Sequence, residues 1–70
     1  MERYLNKSGI SPITYFQIEI AAIIVWFGDK AYTYSYRKAG RLHVENMKEL
    51  ARSGLGLSTY ITRNVRDLYD

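Results

Sequence analysis

The chain has no cysteine, a single histidine (His43), a single proline (Pro12) and no apolar run long enough to cross a bilayer. Without thiols there is no disulfide scaffold, zinc ribbon or thiol nucleophile, and the composition fits a reducing, cytoplasmic setting. The longest apolar run, Ile20 to Phe27, is far shorter than the roughly 20 residues a spanning helix needs. The opening stretch MERYLNKSGISP lacks the continuous apolar core of a secretory signal, so neither export nor a membrane partner is expected. Catalytic groups are scarce as well. His43 has no nucleophile motif around Ser35 or Ser58 to work with, and the carboxylates are scattered without ligand spacing. The expectation is a protein that is not an enzyme and holds no metal or cofactor.

What the chain does have is apolar and aromatic content: 47% of its 70 residues are hydrophobic and seven are tyrosine. That suffices for one domain, close to the lower size limit for a stable core. Residues 1–10 mix charge, Asn, Ser and Gly without a period and are expected to be a flexible lead-in whose Tyr4 and Leu5 dock on the domain at 11–70. From Ile13 onward β-branched and aromatic residues predict strands near Ser11–Ile18, Ala22–Phe27 and Ala31–Arg37, joined tightly enough to form an antiparallel meander.

Beyond Gly40 the period changes. Val44, Met47, Leu50 and Ala51 recur at helical steps, with Glu45, Lys48, Glu49 and Arg52 opposite, predicting a helix over about His43–Ser53 that Gly54 stops. Ser58 is placed to cap a second helix carrying Tyr60, Ile61, Val65 and Leu68 inward. The order β-β-β-α-α predicts an α+β fold, a three-stranded antiparallel meander with two helices packed on one face.

Alternation along the third strand puts Tyr32, Tyr34 and Tyr36 on one face and Thr33 and Ser35 on the other. A two-residue hairpin loop, which Gly28 and Asp29 favour, aligns the tyrosines with Ile23, Val25 and Phe27 under the helices. A three-residue loop, Gly28 to Lys30, would reverse the assignment. On the favoured register Ile24 and Trp26 face away from the helices, so their face needs cover from the lead-in or from a second copy, and a homo-oligomer is expected.

The segment IIVWFGDKAYTYSY resembles the strand-turn-strand of the KTSC domain family, with its Tyr-x-Tyr matched by Tyr32 and Tyr34 or by Tyr34 and Tyr36. MKELARSGLGLSTYITRNV is similar to that family's helix, Gly turn and final segment, so the resemblance spans roughly residues 11–69. KTSC domains are small bacterial and phage modules, also found at the C-terminus of some lysyl-tRNA synthetases. The link RKAGRLHVEN is longer and more basic than the family's. The resemblance implies no established chemistry and, at most, RNA binding.

The net charge of +3 is compatible with nucleic acid or nucleotide as a partner. Arg37, Lys38 and Arg41 form the densest cationic cluster, with Tyr36 or Trp26 as a stacking surface beside it. Arg63 and Arg66 share a helix side near the Gly54–Ser58 turn, whose amides could face an anion. Two functions are therefore expected in order: a non-catalytic module for RNA, single-stranded nucleic acid or a phosphorylated nucleotide, and a protein-protein interaction module, such as a phage-encoded inhibitor or accessory subunit, acting through Ile24 and Trp26.

Overall fold

A computed structural model describes all 70 residues. Four antiparallel strands, β1 (Glu2–Arg3), β2 (Ile13–Glu19), β3 (Ala22–Phe27) and β4 (Lys30–Ser35), lie in the order β1-β2-β3-β4. They precede α1 (Arg41–Ser53) and α2 (Leu57–Tyr60), and α2 runs on as a π-helical turn over Ile61–Val65. The α+β class agrees with the sequence expectation, but the meander has four strands rather than three. The added strand comes from the segment expected as a lead-in. Glu2 and Arg3 pair with Phe16 and Tyr15, and the Tyr4 amide donates to the Thr14 carbonyl at 2.9 Å. A strand of two residues is too short to leave an alternation in the sequence.

The hairpin between β3 and β4 closes with Phe27 opposite Lys30, leaving Gly28 and Asp29 as a two-residue loop. Gly28 takes φ 65°, a conformation that costs glycine little. This register pairs Ile23 with Tyr34 and Val25 with Tyr32, so the tyrosines share the helix-covered face, as expected. On β2, a register shift between Ile13 and Tyr15 lets Ile13 and Phe16 both point inward despite their odd spacing. The Thr14 hydroxyl at this shift donates to the Gly28 carbonyl at 2.7 Å.

Val44, Met47 and Ala51 of α1 and Leu57, Ile61 and Val65 beyond it close over Ile13, Phe16, Ile23, Val25 and Tyr34 to form the core. Burying each large apolar side chain here contributes roughly 1.5–3 kcal/mol. One α1 residue departs from the expected pattern. Lys48, read as solvent-facing, is buried: its ammonium pairs with Glu45 at 2.9 Å and donates to the Ile20 carbonyl at 3.2 Å. Its apolar stem lies along the core surface while the charged end keeps polar partners, which makes the burial tolerable.

Gly54 ends α1 with φ 78° in the left-handed conformation, as expected of a C-terminal glycine. The next helix begins two residues earlier than its anticipated cap: Gly56, not Ser58, is the N-terminal flanking residue. The helix also ends early. After Val65 the chain turns, with the Leu68 amide donating to the Val65 carbonyl at 2.8 Å, and Leu68 is exposed instead of facing the core. The tail then runs along β4: the Asp70 amide donates to the Thr33 carbonyl at 2.8 Å, and the Ser35 hydroxyl donates to the Asp70 carboxylate at 2.7 Å.

Candidate functional site

Leaving β4, the chain makes a tight turn from Ser35 to Gly40. Ala39 and Gly40 donate back to the carbonyls of Ser35 and Tyr36, and the Lys38 amide donates to the Ser35 hydroxyl at 3.2 Å. This compact turn holds Arg37 and Lys38 in solvent, and Arg41 follows as the first residue of α1. None of the three forms an ion pair; the ion pairs of the molecule are Lys48 with Glu45 and Arg52 with Glu49. The cluster is thus a patch of positive charge, without direct ion pairs, at one end of the sheet.

Tyr36 sits inside that patch with its ring between two cations, the Arg41 guanidinium 5.6 Å and the Lys48 ammonium 5.3 Å from its centroid. Its hydroxyl donates to the Glu45 carboxylate. The hydrogen bonds from Tyr36 and Lys48, with the nearby positive charge of Lys48 and Arg41, hold the Glu45 carboxyl below its ordinary range. Glu45 therefore stays ionised and anchors the inner side of the patch, and Tyr36 serves first as its hydrogen-bond donor.

The other predicted residues lie elsewhere. Arg66 lines a groove of about 410 Å³ between the C-terminal part of the helix and β4, near the Phe27 and Tyr32 end of the hairpin. Tyr36 lies just past the end of β4, four residues from Tyr32, and none of Arg37, Lys38 or Arg41 lines the groove, so the basic turn and the groove are separate features. Arg63 is exposed and does not line the groove. Ser58 borders a smaller cleft with Tyr4, Pro12 and Gly56, where no cation is present. The Leu57 amide beside it is engaged by the Tyr4 hydroxyl at 3.3 Å, so one of the amides that an anion would use is already satisfied.

The groove itself was not foreseen. Its sheet-side walls are Tyr32 and Tyr34, and Tyr69 from the tail packs edge-on against both, with ring centroids 4.9 and 6.3 Å away. Phe27 meets Tyr32 in a similar edge contact at 5.6 Å. Burial, reinforced by the neighbouring Tyr32 and Tyr69 hydroxyls, pushes the Tyr34 hydroxyl up to about 12. Tyr69 stands four residues after Val65, on the helical period, but it reaches the groove from a tail that has already left the helix, which a period does not foresee.

Ile24 and Trp26 occupy the sheet face away from the helices, half-buried, in cross-strand register with Gln17 and Tyr15. The N-terminal segment does not cover them: Tyr4 turns into the core instead. His43 joins neither region. Its Nδ1 lies 2.7 Å from the Tyr60 hydroxyl, which also accepts from the Asn46 side chain at 3.2 Å, so the three tie α1 to α2. No group of three or more His, Asp or Glu side chains is assembled for a metal, and no helix is long and apolar enough to cross a membrane.

Comparison with family models, with curated proteins and with solved structures gives no match to this chain.

Proposed function

We propose that the chain is a non-catalytic binding module for RNA, single-stranded nucleic acid or a phosphorylated nucleotide, in the manner the KTSC resemblance implies. The observation that carries this reading is the set of unpaired cations Arg37, Lys38 and Arg41 on a turn braced by its own hydrogen bonds. Cations that form no direct ion pair are available to phosphate oxygens, and the guanidinium of Arg41 offers a planar donor set suited to them. Arg66 and Arg63 extend positive charge along the helix.

Fluorescence anisotropy with labelled single-stranded oligonucleotides, measured across a salt series, tests the proposal. Each phosphate neutralised contributes about −0.7 to the slope of log affinity against log salt for single strands. Joint substitution of Arg37, Lys38 and Arg41 by alanine should flatten the slope by about 2 and abolish tight binding at low salt. Absence of binding by the native chain at low salt, to oligonucleotides and nucleotides alike, refutes the proposal.

A second reading, a module that binds protein or its own copies, is favoured by the sheet face bearing Tyr15, Ile24 and Trp26, which neither helix covers. A strand apolar on both faces is normally covered on both, and an apolar face that the fold leaves uncovered marks an interaction site.

A further inference from the structure

Tyr34 is only 2% exposed and lines the aromatic groove. Its hydroxyl has no hydrogen-bond partner within the protein. No fully buried side-chain polar atom in the molecule lacks a partner, so this hydroxyl opens onto the groove instead of being sealed beneath it. A phenol that no protein group engages and that opens onto the groove is free to donate to a ligand atom placed there.

The walls narrow the choice of ligand. Tyr32 and Tyr69 present aromatic faces and edges to anything planar, and Ile61 supplies an apolar surface from the helix. At the rim stand Arg66, which has no ion-pair partner, and Asp67, the one acid on the groove. A flat heteroaromatic ring with acceptor atoms, an amino group and an attached anion matches these features together. Aliphatic ligands leave the phenol and the guanidinium unused, and a bare anion leaves the rings unused.

We infer that the groove is a base pocket, in which the nucleobase of a phosphorylated nucleotide lies against Tyr32 and Tyr69, an acceptor atom of the base takes the Tyr34 hydroxyl, and Arg66 receives the phosphate. This rests on the reading of the chain as a nucleotide or nucleic-acid module and assigns the base to a place separate from the basic turn. Like any tyrosine hydroxyl, that of Tyr34 is protonated and stays a donor throughout the neutral range. Asp67 accepts from the amino group of adenine or cytosine at the open side.

AMP and adenosine are the probes, followed by backbone amide NMR and by calorimetric affinity. AMP should shift the signals of Tyr32, Tyr34, Thr62 and Tyr69. Tyr34→Phe, which deletes only the hydroxyl, should weaken AMP roughly two- to tenfold, the range expected for one hydrogen bond. Arg66→Gln should remove the preference for AMP over adenosine. Tyr69 is 40% exposed, so Tyr69→Ala provides an independent weakening variant should the core substitution unfold the chain.

A short oligoadenylate with and without a terminal phosphate distinguishes the two sources of such a base: tighter binding of the phosphorylated strand than of AMP identifies a strand end, and the reverse identifies a free nucleotide. Shifts confined to Arg37–Arg41, with AMP affinity unchanged in Tyr34→Phe and Tyr69→Ala, overturn the pocket while leaving the phosphate-binding turn standing. No binding of AMP or oligonucleotide at all overturns both.

Discussion

The hydroxyl of Tyr4 accepts a hydrogen bond from the amide of Leu57 at 3.3 Å, joining the first strand's exit to the start of the second helix. Tyr4 is buried beside Leu57 and Ile13 in the same core. The N-terminal segment is thereby a structural part of the domain, reinforced where the Lys7 amide donates to the Gly54 carbonyl at 2.8 Å.

Tyr4→Ala is therefore expected to destabilise the domain by about 3–5 kcal/mol, as aromatic truncations in cores do. Tyr4→Phe keeps the ring and gives up only the hydrogen bond, a loss of about 1 kcal/mol. Urea denaturation measures both. Equal, small effects from the two substitutions would mean that the ring contributes nothing to the core.

Gly54 combines φ 78° with close approach of the N-terminal segment: a Cβ placed there would lie 2.6 Å from the Leu5 Cβ. Gly54→Ala adds left-handed strain to that collision and is expected to cost more than about 1 kcal/mol. Adding Leu5→Ala should not rescue it, because the clashing Leu5 Cβ remains. Adding Leu5→Gly should recover part of the loss, and thermal melting of the double variants separates the two cases.

Tyr34 predicts an alkaline limit to stability. Its folded pKa of about 12 lies above the ordinary 10.0, so the neutral form is the one the fold favours. The associated stability is fully present below pH 10 and is lost as pH rises toward 12. Tyr34→Phe should flatten the fall in melting temperature over that interval, and phenolate absorbance should show one tyrosine titrating late in the native protein but not in the variant.

Trp26 carries the prediction for the uncovered sheet face. The native chain is expected to self-associate and Trp26→Lys to yield a folded monomer, both read by light scattering with circular dichroism. A native chain that is monomeric at high concentration removes the case for a homo-oligomer built on Ile24 and Trp26.

Much of this architecture was visible in the residue pattern, for physical reasons that differ by element. The inward set of tyrosines follows from two facts: strand side chains alternate strictly, and the Gly28–Asp29 loop fixes the register. The core face of α1 was equally legible because Val44, Met47 and Ala51 repeat at the helical period. Lys48 was not, since a period treats every charge as solvent-seeking and cannot anticipate the carbonyl of Ile20 arriving from a turn distant in sequence.

The candidate sites divide in the same way. Arg37, Lys38 and Arg41 are neighbours in the chain and remain neighbours in space. Arg66 parts from them because β4 separates the two ends, and the groove draws on Tyr69, which sits in a tail tied to Thr33 through the Asp70 amide, five residues past a helix end that the pattern had extended too far. Ser58 gave way to Gly56 as the flanking residue because the chain approaches the second helix with φ 85°, a value suited to glycine.

The contact between Asp70 and Thr33 has a further consequence. β4 is an outer strand, and its outward carbonyls and amides would otherwise invite a strand from another molecule. The tail that satisfies the Thr33 carbonyl also carries Tyr69 into the groove wall, so edge protection and the shape of the groove rise and fall together. A ligand seated against Tyr69 should hold the tail down and make the protein less prone to aggregate, whereas peeling the tail away exposes a polymerising edge and dismantles the groove in one movement.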